Sequence, residues 1–258
     1  MFSPSPASFS EFSAEALARL LSGLVPPKVP TQQRHPSSNP RESLRKELDQ
    51  CQNCWRSRGS GKSLMKCAGC RIEKYCSKQC QENAWPSHRV KCKLNRRLQE
   101  MPSDVVDTSK ALRLFTSKHR PIITQTVARA FGLRSDPTRC LRDVLVIFLS
   151  DRRNIDSSVI VRREMSFYAT DAQILPVEQL GQQASEVKAQ VQRVNQEMRQ
   201  MGHVGAVFVL LLCGERQITN VSPVGFGEEI MTDELFNERC RIDWKTDLFK
   251  HMNEGIVL

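Results

Sequence analysis

Apolar residues cluster in the C-terminal half of the chain in patterns that predict strands. The runs at 143–150 and 206–213 have the length and the β-branched content of buried strands. A second strand is predicted after each of them, at 158–169 and at 216–224. The dipeptide Gly214–Glu215 suits a two-residue turn, so the second pair of strands is predicted to be a tight hairpin.

One amphipathic helix is predicted before these strands and another after them. The first ends at Gly132, and its apolar face consists of Ile122, Ile123, Val127, Ala130 and Phe131. The second begins at Thr232 and stacks at four-residue steps Phe236, Cys240, Trp244, Leu248 and Met252. Each face is typical of a helix that packs on a core.

A further helix is predicted between the two strand pairs, with Pro176 at its first turn. Its apolar positions follow a heptad spacing: Val177, Leu180, Ala184, Val187, Val191, Val194, Met198 and Met201. Two arrangements fit this stripe, a helix laid across its own sheet and a homodimeric coiled coil through residues 177–201. Gly181 and the lack of opposite charges on the flanking positions favour the first.

The order of these elements predicts the α+β class. Two strands, a helix, two strands and a helix suggest an antiparallel sheet with helices packed on one side. We assign this domain to residues 136–258 and a helical connector to residues 93–135. Residues 1–50 are rich in Ser, Pro and Gln and are predicted to be a largely disordered tail. The alternative is a short partner-docking helix capped by Ser13.

Composition argues against a membrane protein and a secreted one. No apolar run approaches the roughly 18–20 residues that a membrane-spanning helix needs. The first ten residues lack the basic region and apolar core of a secretory signal. A cytoplasmic or nuclear protein is therefore expected, in which thiols stay reduced and clustered cysteines bind metal more often than they form disulfides.

Positive charge is concentrated between residues 51 and 97. This segment has twelve Lys or Arg residues and only two acidic residues, Glu73 and Glu82, against a formal net charge of +10 for the whole chain. Lys and Arg beside thiols favour the thiolate form. The excess charge therefore either offsets thiolate clusters or forms a surface for nucleic acid.

The same segment contains the candidate metal ligands. Seven cysteines and one histidine occur in the order Cys51, Cys54, Cys67, Cys70, Cys76, Cys80, His88 and Cys92. A Cys–x2–Cys pair puts two sulfurs of one tight turn on one ion, and x3 spacing places two ligands on one helix face. Eight such ligands suffice for two tetrahedral Zn²⁺ ions. Spacing alone leaves open whether the ions take the pairs sequentially or in an interleaved order.

This pattern resembles a MYND zinc finger over residues 51–92. The resemblance includes Tyr75 before the fifth ligand and Trp85 three residues before the histidine. It implies interleaved coordination, with one zinc on Cys51, Cys54, Cys76 and Cys80 and the other on Cys67, Cys70, His88 and Cys92. The chain also resembles uncharacterised fungal MYND-domain proteins without a SET domain, through segments 139–149 and 221–228. That second resemblance implies no activity.

The resemblance further implies a peptide-binding groove beside the second helix of the finger. MYND fingers dock proline-rich peptides of protein partners, and Gln81 and Trp85 occupy the matching positions here. The alternative is that Trp85 fills the small core of the finger. Because Trp85 precedes Pro86, the helix is expected to break there. The chain is thus predicted to be a zinc-binding adaptor without enzymatic activity, with transcriptional regulation as its suggested setting.

Two rival functions are weaker on the residues. A SET-type lysine methyltransferase is disfavoured because the segment GFGEEI at 225–230 lacks the tyrosine of the cofactor element that it otherwise echoes. Nucleic-acid binding has basic residues as far as Arg97 in its favour, but no aromatic residues are interleaved with them for stacking. The remaining cysteines are predicted to be small core residues rather than nucleophiles: Cys140, Cys213 and Cys240.

Overall fold

The computed structural model describes residues 33–61, 63–153, 161–228 and 243–258. Its helices are α1 (Ser43–Glu47), α2 (Lys78–Gln99), α3 (Ser103–Ala130), α4 (Ala184–Gln200) and α5 (Trp244–Glu254). Its strands are β1 (Met65–Lys66), β2 (Lys74–Tyr75), β3 (Asp143–Asp151), β4 (Phe167–Pro176), β5 (Gly205–Cys213) and β6 (Ile218–Phe226). β1 and β2 form a small antiparallel ribbon, and the other four strands form one sheet.

The four-stranded sheet has the order β4-β3-β5-β6 and a parallel pair at its centre. β3 pairs with β4 and β5 with β6 in antiparallel fashion, whereas β3 and β5 run parallel. The α+β class is confirmed, but the expectation of an all-antiparallel sheet is wrong at this central pair. Pro176 pairs with Asp143 and Phe208 pairs with Val144, so β4 ends and β5 begins beside the first residues of β3. Because β5 starts at the same end of the sheet as β3, it runs parallel to β3.

The two central strands are buried on both faces. Every residue of β5 is buried, as is every residue of β3 after Asp143. α3 and α5 cover the face that includes Leu145 and Val209, and α4 covers the face that includes Val144 and Phe208. Helices therefore pack on both sides of the sheet, not on one side as predicted. Strands that are buried on both faces have continuous apolar runs instead of an alternating pattern.

The helix predicted after Pro176 is divided at Gly181. Gly181 has a φ of 65° and lies in the 3₁₀ segment Val177–Gln183, which precedes α4. The stripe positions that are buried against the sheet are Val177, Leu180, Val191, Val194 and Met198. The helix thus packs on its own sheet, and these side chains are not available to a coiled coil.

α3 is longer than the predicted helix, but it ends where predicted. It begins at Ser103, its cap residue is Phe131, and Gly132 follows with a φ of 56°. α2 continues past Cys92 to Gln99, so the finger and the predicted connector share one helix. Within the described ranges, no helix combines the length and the apolarity that crossing a bilayer requires.

Two strand details differ from the prediction. β4 begins at Phe167 rather than at residue 158, because a 3₁₀ turn occupies Arg163–Met165 immediately before it. The β5–β6 connection uses residues 214–217, with Gln217 in the left-handed region at φ 52°, instead of a two-residue turn. Other predicted features lie outside the described residues: the helix capped by Ser13, the first three positions of the 158–169 strand, Thr232, Phe236 and Cys240.

The segment that precedes the finger contacts the C-terminal end of the chain. The backbone N–H of Asn39 donates to the carbonyl of Val257 at 2.8 Å, and Ser38 Oγ accepts from the N–H of Val257 at 3.0 Å. The carboxylate of Glu42 accepts from Lys118 of α3. Residues 38–42 are therefore held on the body of the protein, although they belong to the segment predicted to be disordered.

Candidate metal centre

Two tight turns present the first four cysteine sulfurs. In the first turn the N–H of Trp55 donates to the carbonyl of Cys51 at 2.9 Å, and in the second the N–H of Arg71 donates to that of Cys67 at 2.8 Å. Trp55 and Arg71 each follow the second cysteine of a pair, and both are left-handed, with φ of 58° and 56°. The two Cys–x2–Cys pairs therefore share one turn geometry.

The first turn is joined to the start of α2 through β2. The N–H of Gln52 donates to the carbonyl of Lys74 in β2 at 2.9 Å. Cys76 follows β2 directly, and Ser77 caps α2 by accepting from the N–H of Cys80 at 3.1 Å. This path brings the first Cys–x2–Cys turn to the Cys–x3–Cys pair, and not to the second turn that follows it in the sequence.

The second turn packs against α2. Gln99, near the end of the helix, donates its amide to the carbonyl of Cys70 at 2.6 Å. His88 and Cys92 lie one turn apart on the buried face of α2. The ring of Tyr75 meets the His88 imidazole edge to face, with centroids 5.8 Å apart, and is itself almost fully buried. Tyr75 thus fixes the orientation of the histidine.

The distances between the ligand atoms fit tetrahedral zinc. Zn–S bonds of about 2.3 Å in a tetrahedron put neighbouring sulfurs about 3.8 Å apart. In the first cluster, Sγ of Cys76 lies 3.5 Å from those of Cys54 and Cys80. In the second, Sγ atoms of Cys67 and Cys92 are 3.9 Å apart, and Cys70 Sγ lies 3.7 Å from His88 Nε2.

These contacts define two zinc sites, each with four protein ligands. They are Cys51, Cys54, Cys76 and Cys80 in one and Cys67, Cys70, His88 and Cys92 in the other. The interleaved assignment implied by the resemblance is confirmed, and the sequential one is wrong. A zinc with four protein ligands has no position for water or substrate, so both ions are structural. Within the described ranges, no other group of three or more His, Cys, Asp or Glu side chains is close enough to hold an ion.

The backbone of each turn lowers the pKa of the first cysteine in that turn. Burial alone would raise the pKa of Cys51, but the N–H groups of Cys54, Asn53 and Cys76 outweigh it and lower that pKa to about 7. Burial would also raise the pKa of Cys67, but the N–H groups of Cys70 and Gly69 outweigh this effect and lower that pKa. Zinc binds the thiolate form, so a thiol with a lowered pKa releases its proton to the metal at a smaller cost.

The two sites differ in exposure. All four ligands of the second site are buried, whereas in the first site Cys51 is buried and Cys54 is exposed. The apolar cluster around the sites contains Tyr75 and Ala84, with Leu64 and Ile72 partly buried against it. So small a core cannot fold a segment of this length alone, and the metal ions supply the missing stability.

The two residues predicted to bind peptide lie on α2 beside the second site. Gln81 is partly buried and its Nε2 donates to Cys67 Sγ at 3.6 Å. Trp85 is 45% exposed, and its ring lies edge to face with His88 at 5.9 Å between centroids. The expected helix break is wrong, because α2 continues through Pro86. The loss of one backbone hydrogen bond there is offset by the anchoring of both helix halves to zinc ligands.

Trp55 links the finger to the sheet domain, a contact that the sequence patterns did not predict. It lies in the first turn and packs against the core between α4 and the sheet. Leu175, Ala184 and Val187 are also partly buried against this core. A tryptophan directly after a zinc-binding Cys–x2–Cys pair is the only sequence signal for this contact. The finger is thereby fixed to the body through a residue that binds no metal.

The thiols outside the clusters are core residues in the described structure. Cys140 is buried, and its Sγ lies 3.3 Å from Oδ1 of Asn195. Cys213 is also buried, which raises the pKa of its thiol to about 12. Both therefore stay protonated at neutral pH, as expected of small core side chains.

A helix–ribbon module closed by two interleaved zinc sites is a structural zinc finger. The family model described as the MYND finger matches residues 46–92, and this segment is a MYND finger. Histone-lysine N-methyltransferase SMYD3 of mouse is 62% identical over 29 residues, which are 11% of this chain and 7% of that protein. Human SMYD3 is 57% identical over 30 residues, covering 12% and 7%.

A third relative aligns with a longer stretch of the chain. A SET and MYND domain-containing protein of Dictyostelium discoideum is 31% identical over 91 residues, 31% of this chain and 16% of that protein. The chain thus spans no more than 16% of the length of these curated relatives. No solved structure matches the chain.

Proposed function

We propose that this protein is a non-enzymatic adaptor whose MYND finger docks a proline-rich segment of a partner protein on Trp85 and Gln81. The proposal rests on the position of Trp85, which is exposed and also in contact with a zinc ligand. Its ring is 45% exposed, yet it rests on the imidazole of a zinc ligand at 5.9 Å. A flat aromatic surface held in position suits a polyproline II peptide, which is itself rigid and loses little entropy on binding.

The position of Gln81 supports the same groove. It lies one helical turn before Trp85, and α2 is continuous between them and through Pro86, so the two side chains share a face. The hydrogen bond from Gln81 to Cys67 Sγ ties its side chain to the second zinc site. A peptide on this face would therefore contact residues that are positioned by the metal.

The test compares peptide binding by the zinc-loaded full chain and two variants. Trp85→Ala should abolish binding to an array of proline-rich peptides while the zinc content stays at two ions per chain. The matched control is Met65→Ala, which removes another exposed apolar side chain of the finger. Equal binding by Trp85→Ala and the unchanged chain would refute the groove.

The absence of catalysis is part of the proposal. The curated relatives are named as methyltransferases or as SET and MYND proteins, but SMYD3 matches only 29 or 30 residues of this chain. Both metal ions are enclosed by protein ligands and offer no Lewis-acid position. Incubation of the zinc-loaded chain with a labelled methyl donor and histones should give no transfer, and steady transfer would overturn this part.

We place the adaptor in transcriptional regulation, with the resemblance to MYND proteins as support. A full-length chain tethered to a reporter promoter should change its output, and Trp85→Ala should lose most of that change. An unaltered reporter would move the proposed setting to the cytoplasm. A fluorescent fusion followed in cells gives the compartment directly.

Nucleic-acid binding is the second candidate, and one observation favours it. α2 has exposed basic side chains along its second half: Arg89, Lys91, Lys93, Arg96 and Arg97. Binding through phosphates releases counterions, so affinity for duplex DNA or RNA would fall steeply with salt. A flat salt dependence together with intact proline-peptide binding would remove this candidate.

A further inference from the structure

α2 has an apolar surface that contacts neither the zinc sites nor the sheet. Val90 is 67% exposed, Leu94 47%, Leu98 39%, and Met101, just after the helix, 50%. Val90, Leu94 and Leu98 are four residues apart and form one row along the helix, and Met101 follows just past its end. We call these four residues the outer stripe.

The outer stripe faces away from the proposed peptide groove. Leu94 follows Trp85 by nine residues, which at about 100° per residue puts the two side chains about 180° apart on the helix. The ligands His88 and Cys92 are buried on the inner side of α2. The helix thus presents two separate surfaces, one organised by the metal and the other free of it.

Positive charge borders the outer stripe on both sides. Lys91 lies on one flank and Lys93 and Arg97 on the other, and all three are exposed. Within the described part of the chain, none of these three forms an ion pair. A row of apolar side chains between two rows of cations has a definite complement, an apolar row between two rows of carboxylates.

We propose that the outer stripe docks an acidic amphipathic helix of a partner protein. A row one residue wide is the seam that a single packed helix covers, whereas helices that lie in a membrane surface have a broader apolar face with aromatic residues. A second copy of this chain would bring Lys91, Lys93 and Arg97 against their own counterparts. The width of the row therefore favours a helix over a membrane surface, and charge complementarity favours an acidic helix over a second copy of this chain.

This surface does not depend on the proline-rich groove. A protein that bound both would engage α2 from opposite sides, and the helix, held in place by its zinc ligands, would support both contacts. The partner class is defined by its chemistry, leucine-like residues at heptad spacing with Glu or Asp beside them. Because opposite charges line the contact, binding should weaken as salt increases.

The experiment uses the zinc-loaded full chain and a synthetic amphipathic peptide as the probe. The peptide has leucines at heptad spacing flanked by glutamates, and a control peptide has lysines in place of the glutamates. Fluorescence anisotropy should detect binding of the glutamate peptide only. Leu94→Ser with Leu98→Ser should weaken it at least about tenfold, since both side chains would lose their buried contact.

Charge reversal provides the sharper measurement. Lys93→Glu with Arg97→Glu should weaken the glutamate peptide and give measurable binding of the lysine peptide. The matched control, Met201→Ser with Val221→Ser, removes two exposed apolar side chains elsewhere and should change affinity less than about twofold. All variants should keep two zinc ions, because the altered side chains are exposed.

Other outcomes would overturn the proposal. They are equal binding of both peptides, no binding of the glutamate peptide, binding that survives the serine changes, and dimers in sedimentation that the serine changes dissolve. Attachment to anionic vesicles, lost with the serine changes, would assign the stripe to membrane instead. Trp85→Ala should leave the glutamate peptide bound, and its loss would place that peptide in the proline groove.

Discussion

Glu42 accepts a hydrogen bond from Lys118 at 2.5 Å, across 76 positions of sequence. The same carboxylate pairs with Arg34 at 3.0 Å and with Arg45. Burial opposes the charge of Glu42, but Lys118 and Arg45 outweigh it and lower its pKa to about 2. Glu42 also has a left-handed backbone, with a φ of 48°, which the three cations help to maintain.

Glu42→Gln should reduce the free energy of unfolding at pH 7 by about 2 kcal/mol, measured by urea denaturation. The folded-state pKa lies below the unfolded value, so this contribution is present above pH 4.5 and is lost as the pH falls towards 2. The unchanged chain and the variant should therefore converge in stability at low pH. The matched control is Glu178→Gln, which removes the exposed pair with Lys188 and should leave stability unchanged. A loss that persists at pH 2 would show that shape, and not charge, is what Glu42 supplies.

Chelation should remove two zinc ions per chain and unfold the finger without unfolding the sheet. The finger owes its stability to its eight ligands, whereas β3 and β5 are buried under helices on both faces. Hydrogen exchange should show amides of residues 64–92 losing protection while those of β3 and β5 keep it. Restored zinc should return the protection. Loss of protection throughout β3 would contradict the separation and give Trp55 a larger role in holding the body together.

His119 should make stability depend on pH in mildly acidic solution. Its ring is fully buried, its Nε2–H donates to the carbonyl of Glu164 at 2.9 Å, and burial lowers its pKa to about 4. The unfolded chain takes up this proton near pH 6.5 and the folded chain does not, so stability is lost between about 6.5 and 4. The loss attributable to His119 is about 3 kcal/mol.

The difference between the unchanged chain and His119→Gln isolates this effect from acid release of zinc. The variant should be less stable at pH 7, and its disadvantage should shrink as the pH falls to 4. His203→Gln, in the turn before β5, is the control and should keep the full pH dependence. A constant difference between the unchanged chain and His119→Gln over this range would show that the buried ring is not responsible.

Asn195→Leu should destabilise the protein by about 2–4 kcal/mol, although it replaces a polar residue with an apolar one inside a core. Asn195 is almost fully buried and pairs with the backbone of β5, accepting from the N–H of Ala206 at 2.8 Å and donating to its carbonyl at 2.9 Å. The variant leaves both groups unpaired. The neighbouring Gln196 is exposed, so Gln196→Leu should have little effect on the urea midpoint. Equal midpoints for the two variants would contradict the role of Asn195.

Helix α2 shows how local rules are overruled. Pro86 predicts a break in α2, but Cys80 on one side of it and His88 and Cys92 on the other bind zinc, and the helix stays continuous. The cost of one missing hydrogen bond is small against metal coordination. Similarly, nothing local predicts that Glu42 would be held by a lysine of α3.

The sequence by itself determined the eight ligands, the existence of the central strands and the apolar face of α4, because coordination chemistry and side-chain periodicity act over a few residues. The tertiary structure decided the parallel pairing of β3 with β5, since neighbouring apolar strands do not specify their partner. It also decided the packing of Trp55 on the sheet domain and the exposure of Leu94 and Leu98. Those features depend on which surfaces meet after folding, and residues far apart in the chain settle that together.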